Sequence, residues 1–116
     1  MGALKGPPLV EVAYHLGCAL DPATRRAAGR ALLAHYLTSL QAAGGPSLPL
    51  AEAERLCAAY LVFGFVVFLV NDPAFQAEAV NAACTARFAA AMVEENTPEI
   101  LAAAAQLGRS GASDPW

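Results

Sequence analysis

Few residues in this sequence have types and spacing that suit chemistry, and the clearest group lies near the N-terminus. Glu11, Tyr14 and His15 follow two consecutive prolines, and His15 stands three residues before Cys18. A His-x-x-Cys pair could begin a zinc site, but structural zinc takes four converging ligands, and the sequence has no second pair at that spacing. No Cys/His/acid set indicates an activated nucleophile either. We therefore predict no metal ligand, no cofactor-binding residue and no catalytic residue in this chain.

Glu11, beside Tyr14 and His15, has two interpretations. As an acid near a helix N-terminus, Glu11 would stabilise the helix by about 0.3–1 kcal/mol through the helix dipole. Alternatively, Glu11 props a neighbouring loop or meets a cationic ligand. The residues alone leave both interpretations open.

The cysteines indicate the redox environment. Cys18, Cys57 and Cys84 are far apart and odd in number, which is not the pattern of a disulfide framework. Reduced thiols are typical of intracellular proteins, and the N-terminal residues lack the apolar segment of a secretory signal. We therefore expect a cytoplasmic protein with free thiols.

The composition indicates a packed domain and excludes some partners. The chain has 116 residues, of which 57% are hydrophobic and 15% charged, against roughly 25% charged in ordinary soluble domains. This composition excludes disorder for most of the chain. Ten acidic residues outnumber seven basic ones, and the largest basic cluster is Arg25, Arg26 and Arg30. Because nucleic-acid binding needs an extended basic surface, we expect no nucleic-acid partner.

Helix signals dominate the pattern and predict an all-α fold of about five helices around a central apolar helix at about 50–70. Asp21-Pro22 and Thr97-Pro98 are start signals, with Asp21 and Thr97 as caps. We expect helices over about 9–20, 22–43, 50–70, 74–94 and 98–107. Residues 1–8 would be an extended lead-in, 9–108 a single helical domain, and 109–116 a flexible tail. Arg25 and Arg26 are expected on a solvated face, and Glu94 and Glu95 are expected to be exposed.

The apolar run from Leu56 to Val70 contains 15 uncharged residues. At about 1.5 Å per residue it covers about 22 Å, whereas a bilayer core is about 30 Å thick. The run therefore favours a buried central helix over a membrane span. A helix that is apolar on every side must be surrounded by the other helices.

A family resemblance covers residues 6–44. The matching positions are Gly6-Pro7, Val12-Ala13-Tyr14, Leu16, Asp21-Pro22, Arg25-Arg26, Tyr36, Leu40 and Ala42-Ala43-Gly44. This pattern resembles the segment that follows the metal-binding aspartate in kinase-like small-molecule phosphotransferases, such as the aminoglycoside-phosphotransferase, ecdysteroid-kinase-like and choline-kinase-like families. The later apolar helix also resembles the central helix of their C-terminal lobe.

The resemblance implies a role on the acceptor-substrate side of such an enzyme. Glu11 stands where the family has an aspartate that braces the catalytic loop. The resemblance therefore implies that Glu11 and Tyr14 lie nearest the active site of such an enzyme, where they bind the substrate or brace the loop. The family's His-x-Asp loop and its ATP- and Mg²⁺-binding groups belong upstream of the matched segment, so we expect this chain not to be catalytic by itself. ATP and Mg²⁺ are expected only for a full-length relative, and a catalytic part or a second copy would be the partner. The alternatives are a stand-alone helical interaction protein and, least favoured, a membrane-associated protein.

Overall fold

The computed structural model describes residues 7–109, which form five α-helices and, within that range, no strand. The helices are α1 (Pro8–Cys18), α2 (Pro22–Ala42), α3 (Leu50–Val70), α4 (Glu78–Glu94) and α5 (Thr97–Arg109). The predicted all-α class is therefore confirmed. Most of the predicted lead-in (residues 1–6) and most of the predicted tail (residues 110–116) lie outside the described residues.

Helix α3 is the central element, as the apolar run predicts, because it packs against each of the other four helices. Its N-terminal half is the best covered part. The buried residues of α3 are Ala53, Leu56, Cys57, Ala58, Ala59, Leu61, Gly64 and Phe68. The prediction that α3 is surrounded on every side is wrong for its C-terminal half, where Phe63, Val66 and Leu69 stay about half exposed.

Local signals explain where α2 begins and ends. The Asp21 carboxylate accepts a hydrogen bond from the Thr24 backbone N–H at 2.9 Å, as expected of a helix cap. At the other end Gly44 has a φ of 88°, and the Gly45 N–H donates to the Leu40 carbonyl at 2.8 Å. This is the Schellman ending, which requires the left-handed conformation that glycine adopts without strain.

The start of α2, both ends of α3 and the end of α4 match the prediction, whereas the other helix boundaries differ from it by one to four residues. Helix α1 begins at Pro8, inside the predicted lead-in, and α5 continues through Gly108 to Arg109. Helix α4 begins at Glu78 instead of 74. The Asp72 carboxylate accepts from the Ala74 N–H at 2.8 Å, which holds the start of this segment in a turn.

Helices α1, α3 and α4 meet around one side chain, Phe88 of α4, which is fully buried. Gly17 of α1 and Gly64 of α3 both face its ring, and a Cβ atom at either position would overlap ring atoms. The two glycines therefore allow α1 and α3 to approach α4 closely enough to enclose the phenyl group.

Helices α3 and α4 run antiparallel, and polar contacts mark the two ends of the pair. At one end the Asn71 amide donates to the Asn81 side-chain oxygen at 3.0 Å. At the other, the buried Thr97 hydroxyl donates to the Ala58 carbonyl at 2.6 Å. Helix α5 already includes Thr97 as its first residue, whereas the sequence predicted Thr97 as the cap before the helix, and the Thr97 hydroxyl joins α5 to α3.

Candidate functional site

The two predicted binding residues on α1, Glu11 and Tyr14, have different surroundings in the structure. The Glu11 side chain is 81% exposed, and its carboxylate approaches the His15 ring, with Oε2 and Nε2 3.9 Å apart. Tyr14 packs among aromatic rings, with centroid distances of 5.8 Å to both Phe68 and Phe88. Burial raises the pKa of Tyr14, and the neighbouring Cys18 adds to this effect. A role for Glu11 and Tyr14 in binding a substrate or bracing a loop stays a prediction.

A cleft of about 400 Å³ lies between α1, α2, α3 and the C-terminal end of α4. Its volume falls within the range of small-molecule sites, about 300–1,000 Å³. Its apolar residues are Ala13, Leu16, Leu33, Cys57, Ala58 and Leu61, and its charged residues are Arg25, Arg26, Arg30, Glu54, Glu94 and Glu95. Glu11 and Tyr14 are not among the residues that line it.

The charged residues of the cleft pair with one another. The Arg25 side chain is only 7% exposed; one of its nitrogens bonds the Glu94 carboxylate and another donates to Glu95 at 3.2 Å. Arg26 donates to Glu94 at 2.7 Å, and Arg30 lies 3.4 Å from a Glu54 oxygen. We call these side chains the arginine–glutamate cluster: Arg25, Arg26, Arg30, Glu54, Glu94 and Glu95.

The cluster corrects the prediction that Arg25 lies on a solvated face. Arg26, Glu94 and Glu95 are exposed, as predicted, but both glutamates form ion pairs with Arg25. The spacing is the signal that sequence reasoning missed: Arg25 and Gly29 precede Leu33 and Leu37 at intervals of four, and the structure buries all four residues. Arg25 thus extends the buried row of α2, where its charge requires carboxylate partners.

The electrostatics of the cleft favour structural pairing over catalysis. Hydrogen bonds from Arg25 are the main cause that lowers the pKa of Glu94. Burial, with smaller contributions from Glu95 and Glu54, raises the pKa of the Cys57 thiol to about 12. A thiol with this pKa is protonated at neutral pH and is a poor nucleophile. Because each of the three arginines faces a carboxylate, the cluster holds α2 against α3 and α4.

The side chains of His15 and Cys18 have different neighbours and do not form part of a metal site. His15 approaches Glu11, whereas the Cys18 sulfur lies 3.5 Å from the sulfur of Cys84. Across residues 7–109, no three His, Cys, Asp or Glu side chains lie close enough together to hold a metal ion.

The second surface of interest is on α3. Phe63, Val66, Leu69 and Val70 lie on one side of the C-terminal half of this helix and are 48–72% exposed. We call these four residues the α3 apolar face. Helix α3 is long and apolar enough to cross a membrane by length and composition, but 44% of its most apolar window is buried inside the protein. The face is therefore one side of a helix whose other side belongs to the core.

In comparisons with known proteins, the chain matches no family model, no curated protein and no solved structure. The resemblance to kinase-like phosphotransferases therefore rests only on the residues named above. It stays a prediction, as do the cofactors, partners and location that it implies.

Proposed function

We propose that this chain is a helical interaction module that associates with a second copy of itself through the α3 apolar face. The observation that carries the proposal is the exposure of four large apolar side chains on one helix side, from 48% for Val66 to 72% for Val70. Soluble monomers rarely leave a large contiguous apolar patch in water, and such patches mark interaction sites. Two more exposed residues, Phe75 and Val80, follow the C-terminal end of α3.

Charge favours a second copy as the partner. In a two-fold symmetric contact the same patch lies on both sides, so charged residues in the patch would face like charges. Between Leu56 and Val70 the sequence has no charged residue. The four residues of the face therefore bring no like charges together when they meet the same face of a second copy.

The surroundings of the face are less suited to a lipid surface. Peripheral helices that bind anionic membranes place Lys and Arg beside their apolar face. The nearest charged residues that follow the face are acidic, Asp72 and Glu78. The face is also too short for a membrane span, because the exposed stripe from Phe63 to Val70 covers only about 12 Å of helix and a bilayer core is about 30 Å thick.

The phosphotransferase hypothesis is kept as a separate proposal, in which this chain forms the acceptor-substrate side of a larger enzyme. It expects that the isolated chain binds no Mg-ATP, which calorimetry would measure. Binding of Mg-ATP, or phosphoryl transfer by the pure chain, would contradict this expectation. Self-association requires no nucleotide, so the two proposals can fail independently.

The mass of the protein in solution tests self-association. Light scattering across a dilution series should give twice the chain mass of 12.0 kDa for the unaltered protein. Val70→Glu should weaken the dimer at least about tenfold, or ~1.4 kcal/mol, because it places two carboxylates in one apolar contact.

Val93→Glu is the matched control, since Val93 of α4 is 75% exposed and lies at the other end of the α3–α4 pair from Val70. This variant should remain dimeric. A monomeric unaltered chain at every concentration would overturn the proposal, and so would equal effects of the two substitutions. A monomer that floats with phosphatidylcholine vesicles would assign the face to lipid.

A further inference from the structure

Two of the three thiols are neighbours in the folded protein although 66 positions separate them in the sequence. The Cys18 sulfur, at the end of α1, lies 3.5 Å from the Cys84 sulfur in α4. Cys84 is buried and Cys18 is partly exposed, whereas Cys57 lies elsewhere, in the cleft. No other part of the described chain brings two cysteines together.

The packing of α1 against α4 holds this geometry in place. Gly17, the residue before Cys18, lies against the Phe88 ring, one helical turn after Cys84. The Arg87 guanidinium donates to the Cys18 carbonyl at 2.8 Å, which ties the end of α1 to α4. The Gly17–Phe88 contact and the Arg87–Cys18 hydrogen bond both hold α1 and α4 together beside the thiols. Small side-chain rotations can therefore bring the sulfurs to the bonding distance of about 2.05 Å.

We propose that Cys18 and Cys84 are a site of reversible oxidation that forms an intramolecular disulfide between α1 and α4. The oxidant is a low-molecular-weight disulfide of the glutathione class. The Cys18 thiolate attacks one sulfur of the oxidant and releases one small thiolate, which leaves a mixed disulfide on Cys18. The Cys84 thiolate then attacks the Cys18 sulfur and releases the second small thiolate. The two protons of the protein thiols end on the two released small thiols, so the oxidant is reduced by two electrons.

Exposure assigns the order of these steps. The oxidant can reach the partly exposed Cys18, whereas Cys84 is 7% exposed and reacts only with the neighbouring sulfur. Burial raises the pKa of the Cys18 thiol to about 11, with a further contribution from Cys84, while Arg87 opposes the shift. The raised pKa of Cys18 slows the first step at neutral pH, because only a small fraction of the thiol is ionised there.

The bond would change the stability of the whole bundle. It would close a loop that contains α2 and α3, and a long closed loop lowers the entropy of the unfolded chain. Oxidised protein should therefore unfold at a higher urea concentration than reduced protein. Helices α1 and α4 would be unable to separate until a reductant cleaves the bond.

The test treats the folded chain with oxidised glutathione and measures the intact mass and the linked peptides. We expect a mass lower by two hydrogens and one linked pair, Cys18 with Cys84. Cys57→Ser, the matched control, should react like the unaltered chain. Cys84→Ser should stop at the mixed disulfide on Cys18, and Cys18→Ser should form no intramolecular bond.

The same reaction in concentrated urea supplies the reference, because an unfolded chain with three cysteines can form any of three pairs. A native product with the same mixture of pairs would overturn the proposal. A native product that carries only glutathione adducts, or only bonds between chains, would overturn it as well.

Discussion

At the scale of single residues, the Thr97 hydroxyl shows how one polar group can join two helices. Its oxygen is fully buried and lies 2.6 Å from the Ala58 carbonyl oxygen. Thr97→Val keeps the shape of the side chain but removes the donor. We expect a loss of about 1–3 kcal/mol in the free energy of unfolding, measured by urea denaturation.

Thr38→Val is the matched control for this prediction. Thr38 also donates to a carbonyl, that of Ala34 at 3.0 Å, but on the exposed surface of α2. Water replaces this bond, so we expect a change of less than about 0.5 kcal/mol. Equal losses in the two variants would show that the Thr97 bond contributes nothing beyond a surface contact.

Residue roles were the least predictable part of the molecule. Arg25 could have been placed inside from the row of buried positions that it shares with Gly29 and Leu33, but its glutamate partners lie about 70 positions away. Cys18 and Cys84, which are also in contact, are 66 positions apart in the sequence. Helical periodicity describes which side of a helix is apolar, but it contains no information about which helices meet.

At the scale of elements, the sequence predicts the number and order of helices, because caps and stop signals are local. Asp21-Pro22 and Gly44-Gly45 act at the ends of α2 as predicted. The start of α4 was missed because Asp72 favours a turn over helix in the residues that follow it. Local hydrogen bonding by a short polar side chain thus outweighed the helix propensity of the neighbouring alanine.

Helices α1 and α3 pack closely on Phe88, and Gly64 is the residue of α3 that makes this contact. Gly64→Ala raises helix propensity, but the new methyl group overlaps the Phe88 ring. We expect the overlap to prevail, with a net loss of about 1–3 kcal/mol in urea denaturation.

Gly29→Ala is the control within α2, where the new Cβ would lie 3.7 Å from Arg25 Cγ, an ordinary contact. This variant should gain about 0.5–1 kcal/mol, because only the helix propensity changes. A gain of the same size from Gly64→Ala would show that α3 and α4 are not held at this distance.

At the scale of the whole molecule, α3 contacts every other helix but remains uncovered on one side. The prediction that an apolar helix lies at the centre is confirmed, yet apolar composition could not show that four helices are too few to enclose it. The other helices cover the side with Gly64 and Phe68 and leave Phe63 and Val70 to the solvent. That difference is the physical basis of the proposed dimer.

The arginine–glutamate cluster makes the stability of the molecule depend on pH. Hydrogen bonds from Arg25 lower the pKa of Glu94 below its ordinary value of 4.5, so the folded state binds a proton less readily than the unfolded state. The resulting stabilisation is fully present above the ordinary pKa and is lost as the pH falls through the lowered one. Hydrogen bonds with Thr24 lower the pKa of Asp21 too, so protonation of Asp21 also reduces the stability as the pH falls.

The urea concentration at the unfolding midpoint should therefore decrease as the pH is lowered from about 6 to about 3. The Glu94→Gln variant should have a lower midpoint at pH 6 and should lose less of it over that interval. Glu78→Gln, which alters an exposed acid outside the cluster, should keep the steep loss of the unaltered chain. Circular dichroism during urea denaturation at each pH measures the midpoints of the unaltered chain and of the two variants. A Glu94→Gln profile parallel to that of the unaltered chain would mean that the acid sensitivity arises elsewhere. The cluster would then hold α2 in place without coupling that attachment to pH.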